Sequence, residues 1–234
     1  MGVNIGMKKG ELKKKEILKT AEALFCKNGY ESTSIQDILD ELHTSKGSFY
    51  HHFESKEFLL ESMCAGKAQA AFQQAVQRAA QYPDSLRQLN CLLGSLIPLR
   101  DDSLSFLLMI LPVFSTQSGR SIRTAYCSAL SSLYIDALEN QLAVCVREKN
   151  AVIYDCRATA EICLTVMNHF WCGLCDRIIE AAETGDDAPD FTRLIDQYRI
   201  AIERIISAPY GSLNLIELPD LLLLSTQIRI HWEK

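Results

Sequence analysis

No apolar run in this sequence approaches the roughly 20 residues that a membrane-spanning helix needs. The longest, residues 103–115, is too short and is interrupted by Pro112. A glycine-rich phosphate loop, a nucleophile elbow, a zinc-protease helix and a paired-carboxylate constellation are all missing, so the usual sequence routes to an enzyme have no support. Internal repeats and low-complexity tracts are absent, and no alternating strand pattern appears before residue 209. Helices are therefore the regular structure expected. Positive charge is also short: the formal net charge is -5, which by itself does not advertise a nucleic-acid partner. No secretory apolar region opens the chain, and the nine cysteines are odd in number and fall mostly inside apolar helical runs. Reduced thiols in a cytoplasmic protein are expected, not a disulfide framework. Nothing calls for a cofactor or a membrane.

What is present is enough for a core. The chain has 234 residues, 48% of them hydrophobic and 23% charged, so disorder is expected only at the ends. Charge is unevenly placed. Residues 1–19 carry Lys8, Lys9, Lys13, Lys14, Lys15 and Lys19 against only Glu11 and Glu16. A basic end on an acidic body fits a protein that meets phosphate at one end, although a solvated terminus has the same composition.

Residues 33–56, TSIQDILDELHTSKGSFYHHFESK, carry the most specific pattern. A first helix over 11–28 precedes them, with Ile17, Leu18, Ala21, Leu24 and Phe25 on one face and Asn28-Gly29 as its stop. Thr33 is expected to cap the second helix, with Gln36 closing a capping box. Ile35, Ile38, Leu39 and Leu42 face inward. His43 falls where the chain must turn and a left-handed residue is expected. Thr44 or Ser45 caps a third helix over 46–51. Phe49 and Phe53 point into the head at i, i+4, and Lys46, Ser48, Tyr50 and His51 point out. Two short helices, a tight turn and an aromatic plug form a helix-turn-helix pattern, whose second helix lies in the major groove of DNA.

Thr33, Ile38, Ser45-Lys46-Gly47, Phe49-Tyr50, His52-Phe53 and Ser55-Lys56-Glu57 with Leu59 resemble the DNA-binding signature of the tetracycline-repressor (TetR) family. The resemblance covers about residues 16–60, a fifth of the chain. Leu39 and Leu42-His43-Thr44 depart from the family's usual small residues at these positions. The resemblance implies double-stranded DNA as partner. Thr33, Thr44, Ser45, Lys46, Gly47, Ser48, Tyr50, His51 and Lys56 are then the candidate contacts. Lys46 reaches base edges or phosphate, Gly47 lets the backbone approach, and Tyr50 offers its hydroxyl. Lys56 and the free amides beginning the fourth helix form a phosphate clamp.

The expected architecture is all-α with about nine helices. Residues 1–10 are a disordered tail, with Met1 and Met7 both possible starts. Residues 11–60 form the head, 61–208 a helical regulatory and dimerisation body, and 209–234 an apolar extension packed on the body or at a dimer interface. A long fourth helix over 55–80 links head and body. Further helices are expected over 83–96, 103–115, 118–148, 155–184 and 189–207, and 226–232 alternates like a short extended segment. One head buries too little for specific binding, so a homodimer is expected. The resemblance places its interface on the last two body helices, with Ile162, Val166, Phe170, Ile178, Leu194, Tyr198 and Ile205 as interface or core. It also implies a repressor released by a small, largely apolar effector in the body. Candidate pocket residues are Phe106, Met109, Phe114, Tyr126, Met167, His169, Phe170 and Trp171, with core packing as the competing role of each. Cys172 and Cys175, one helical turn apart and with Cys163 and His169 nearby, suggest a thiol or soft-metal trigger as an alternative. A helical interaction module without DNA binding is the other.

Overall fold

A computed structural model describes residues 9–97, 101–184 and 191–216. Among these residues every regular element is a helix, and there are nine: α1 (Lys9–Asn28), α2 (Ile35–Glu41), α3 (Lys46–Tyr50), α4 (Lys56–Ala79), α5 (Ser85–Gly94), α6 (Asp101–Phe114), α7 (Gln117–Arg147), α8 (Cys156–Thr184) and α9 (Thr192–Ile205). No helix among them is long and apolar enough to cross a membrane. The chain divides into two units, Met1–Cys64 and Ala65–Lys234.

The first unit is built on one apolar stripe. Ile17, Ala21 and Phe25 recur every four residues along α1 and are fully buried, together with Ile38, Phe49, Phe53, Leu59 and Leu60. Gly29, at φ +86°, stops α1, and its N–H donates to the Phe25 carbonyl at 2.9 Å. Tyr30 then folds back edge-on to Phe25, with ring centroids 5.1 Å apart. His43 adopts φ +47°, so the left-handed turn between α2 and α3 is made by the residue expected to make it.

The second unit is organised around α7 and α8, which run antiparallel. Arg123 pairs with Asp176 at one end and Arg157 with Asp136 and Glu139 at the other. α5 is tied to α7 by polar bonds: the Gln141 amide donates to the Ser85 carbonyl (2.9 Å), and Ser95 and Tyr134 share a bond of 3.0 Å. Thr116 caps α7, accepting from Gly119 N–H at 3.0 Å. The turn entering α7 is so close that a Cβ on Gly119 would meet the Val113 carbonyl oxygen.

Of the expected C-terminal extension, residues 209–216 are described. They form a strap packed on the body, with Leu213, Leu215 and Ile216 buried. Glu203, 2% exposed, receives the Gly211 and Leu213 amides at 3.1 and 3.0 Å and pairs with Arg199. Asn90 on α5 receives the Asn214 and Leu215 amides at 2.7 and 2.9 Å. The alternating stretch 226–232, most of the tail before residue 10, and the expected start of the last helix at Pro189 lie outside the described residues.

Candidate nucleic-acid interface and regulatory body

The local chemistry of the head differs from the expectation at the start of α2. Ser34, not Thr33, is the N-cap. Its hydroxyl accepts from the Asp37 N–H, while the Asp37 carboxylate accepts the Ser34 N–H at 2.7 Å, completing the capping box. The Ser34 amide and, at 2.8 Å, the Ser34 hydroxyl both donate to the Asp37 carboxylate and hold it below its ordinary range. Gln36 takes no part and donates to Asp40. Thr33 is wholly buried. Its hydroxyl donates to the Gly29 carbonyl at 2.8 Å and its amide to the Tyr30 carbonyl at 3.2 Å. Thr33 therefore locks the loop before α2, and neither of its donors is free to meet a phosphate.

α3 follows the expected arrangement. Ser45 is its N-cap, accepting from Ser48 N–H at 3.3 Å. Phe49 anchors the helix from beneath, tilted against Phe53 at 5.8 Å. Lys46, Gly47, Tyr50 and His51 are exposed, and Thr44 and Ser48 are half-buried beside them. Tyr50 packs its ring edge-on to Phe49 and remains 53% exposed, which leaves the phenol facing solvent. A Cβ on Gly47 would meet nothing nearer than the Ser45 hydroxyl at 3.9 Å. The fold thus has room for a side chain there, and its absence leaves the face of α3 flat.

Behind α3, His51 and His52 stack edge-on at 4.9 Å, and Lys14 of α1 lies 5.6 Å from the Phe53 ring centroid. Partial burial, then His51, Lys14 and Lys13, push the His52 pKa down. Positive charge from α1 therefore reaches His52, just after α3.

Lys56 is not the open phosphate clamp expected of it. Its ammonium donates to the Tyr30 and Thr33 carbonyls at 3.0 and 3.1 Å and lies 4.2 Å from the Tyr30 ring centroid. It fastens the loop entering α2 to the start of α4. The first turn of α4 is capped separately by the Ser55 hydroxyl, which accepts from Phe58 N–H.

The bacterial regulatory-protein family model named tetR matches residues 17–63, the segment containing this buried stripe, the capped α2 and the exposed α3. Residues 17–63 are a TetR-family head. An HTH-type transcriptional regulator of Bacillus subtilis, YerO, is 54% identical over 52 residues, covering 22% of this chain and 18% of YerO. The HTH-type transcriptional repressor KstR2 of Mycobacterium tuberculosis is 39% identical over 51 residues, 22% of this chain and 26% of KstR2. The similarity thus spans about a fifth of these relatives' length, and it is the TetR-family head that they share. The fold is shared more widely. A TetR-family regulator from Pectobacterium atrosepticum superposes with a TM-score of 0.60 at 16% identity, over 71% of this chain and 83% of that one. FadR from Bacillus subtilis, in complex with stearoyl-CoA, superposes with a TM-score of 0.55 at 14% identity, over 84% of this chain and 99% of its own.

In the body, seven of the eight candidate pocket residues are buried: Phe106, Met109, Phe114, Tyr126, Met167, Phe170 and Trp171. Trp171 is 1% exposed and its indole N–H has no acceptor among the described residues. Phe170 stacks on Tyr198 at 4.8 Å and so belongs to the α8–α9 packing. His169 does not join the group. It is exposed, with Nδ1 2.5 Å from the Tyr198 hydroxyl, because its position on α8 is rotated away from the stripe of Met167 and Trp171. The thiol constellation is also regrouped. Cys163 and Cys175 are buried, and burial raises both thiol pKa values, that of Cys163 to about 12. Among the described residues no three His, Cys, Asp or Glu side chains are placed to hold a metal. Cys172 instead falls level with Cys127 of α7 between the Arg123–Asp176 and Ser131–Asn168 contacts, a partner that spacing within α8 gave no means of finding.

Proposed function

We propose that the chain is a DNA-binding transcriptional regulator, a repressor that grips a palindromic operator as a homodimer and lets go when a small, largely apolar effector enters the body. The observation that carries the reading is the outward face of α3. Lys46, Ser48, Tyr50 and His51 stand on a short helix clamped from below by Phe49, with Gly47 flat between them. A donor-rich surface on a helix with an exposed start is what base edges and phosphates require. The similarity of the head to that of KstR2, a named repressor, supports the same reading.

Dimerisation is supported by apolar side chains left open on the last two helices. Ile162 is 49% exposed, and Val166, Leu194, Tyr198 and Ile205 are half-buried. An effector is supported by the aromatic and methionine-rich interior between α6, α7 and α8. Trp171 adds a buried donor, so the ligand is expected to bring an acceptor oxygen into an otherwise apolar site.

A gel shift on DNA flanking the chain's own gene tests the reading. A retarded band that weakens steeply with salt is expected. Lys46→Ala and Gly47→Gln are expected to weaken it with the helical content unchanged. The absence of any shift at low salt on every flanking fragment would favour a helical interaction module. Native mass spectrometry of the purified protein would then find any retained effector.

A further inference from the structure

α7 and α8 meet in a strict antiparallel register. Arg123 reaches Asp176 at 2.5 Å, and Asn168 donates to the Ser131 hydroxyl at 2.9 Å. Between these contacts α7 advances by eight residues and α8 goes back by the same eight. The position midway between them belongs to Cys127 on α7 and Cys172 on α8. The register sets the two thiols face to face there, and both are half-buried, neither sealed nor fully open.

We propose that Cys127 and Cys172 form a thiol oxidation site that takes a hydroperoxide and closes to a disulfide between α7 and α8. The inference is independent of DNA binding. Cys172 is the attacking sulfur. Its pKa is lowered to about 7 by the neighbouring Cys127 thiol and by the Arg123 guanidinium, against opposing effects of partial burial and Asp176. A lowered pKa favours the thiolate, the nucleophilic form. The charged and titratable groups facing it are Cys127 and Arg123 from α7 and Cys175 and Asp176 from its own helix. Cys127 is held as the thiol, its pKa raised first by the neighbouring Cys172 and then by burial. This is the division of labour of an attacking and a resolving cysteine. Cys175 is fully buried.

The chemistry balances with peroxide as the oxidant. The Cys172 thiolate attacks one peroxide oxygen, the O–O bond breaks, and a proton completes the leaving water or alcohol. Cys172 becomes a sulfenic acid. Cys127 sulfur then attacks the Cys172 sulfur, the S–OH bond breaks, and the Cys127 proton leaves with the hydroxyl as a second water. Two thiols lose two electrons in all, and the peroxide gains them.

The test treats the reduced full chain with hydrogen peroxide near neutral pH and maps the products by peptide mass spectrometry without reductant. A Cys127–Cys172 cross-linked peptide, lost on adding dithiothreitol, is expected. C127S is expected to stop at a sulfenic acid on Cys172 that dimedone traps, while C172S leaves Cys127 a thiol. R123Q is expected to slow the first step several-fold with helical content unchanged. The proposal is overturned if Cys172 in the wild-type chain reacts no faster than the exposed Cys26. It is also overturned if Cys172 pairs with Cys175.

Discussion

Ser34 is exposed and small, yet the geometry of the head starts from it. Its hydroxyl and amide are both paired with Asp37. Ser34→Ala is expected to destabilise the head by about 1 kcal/mol, and Thr33→Val to act differently, by orphaning no amide while loosening the Gly29 loop. Amide exchange separates them: the first change accelerates the start of α2, the second the loop at residues 29–33. The same cap gives an acid dependence. The Asp37 pKa in the folded head lies below its ordinary 3.8, so its stabilisation is complete above that value and is lost as pH falls through the lower, folded one. His52 acts at milder pH. Its folded pKa lies below the ordinary 6.5, so the unfolded chain takes up the proton first and the head loses stability as pH falls below 6.5. Lys56 yields the sharpest contrast with Lys46. Removing its two hydrogen bonds in Lys56→Ala is expected to cost about 1–2 kcal/mol, seen as earlier melting of the head, whereas Lys46→Ala leaves melting alone and lowers DNA affinity. Residue-scale chemistry was only half legible in the sequence. The capping box could be framed one residue early, since threonine and glutamine fit the pattern as well as serine and aspartate. The choice was made by Thr33, whose hydroxyl finds carbonyls from α1 and the loop behind it. Lys56 was misread for a related reason: the carbonyls that claim its ammonium lie more than twenty residues earlier.

At the scale of elements the helices were legible because each carries a 3.6-residue apolar period and a chemical stop. Asp84, Thr116 and Ser45 cap where short polar side chains precede apolar runs. The relations between elements were not. The strap after α9 is apolar enough to require cover, but what holds it is polar: Glu203 beneath one half and Asn90, 124 residues away from Asn214, beneath the other. Glu203→Ala would leave the Arg199 guanidinium, only 11% exposed, with Asp196 as its remaining anionic partner. It would also orphan two strap amides. A loss of about 2–3 kcal/mol is expected, and limited proteolysis should begin cutting near residues 208–212. A strap that stays protected in Glu203→Ala would show that Leu213, Leu215 and Ile216 hold it alone. Gly119→Ala tests a different junction. Its methyl would overlap the Val113 carbonyl, so the turn must open or the chain shift, at a cost of about 1–3 kcal/mol.

The whole molecule poses the question of stoichiometry. A single head of the proposed regulator would present one short helix to DNA, and a few exposed donors on α3 would not supply the area of a specific complex. Two-fold pairing joins two weak contacts into one strong one, because the second half-site is met at high effective concentration. Ile162 is the natural place to test this. It is half exposed in the single chain, so Ile162→Glu does not disturb the core around Leu174 and Ile178. In a dimer joined through α8 and α9 the same carboxylate would be forced out of water without a partner. The variant is expected to keep its circular dichroism spectrum, to sediment as a monomer where the wild-type chain sediments as a dimer, and to lose about two orders of magnitude or more in affinity for a palindromic site. It should bind an isolated half-site as weakly as the wild-type chain does. A variant that remains dimeric would move the interface away from Ile162. A wild-type chain that is monomeric and still binds the palindrome tightly would remove dimerisation from the mechanism, leaving a single head to account for all of the affinity.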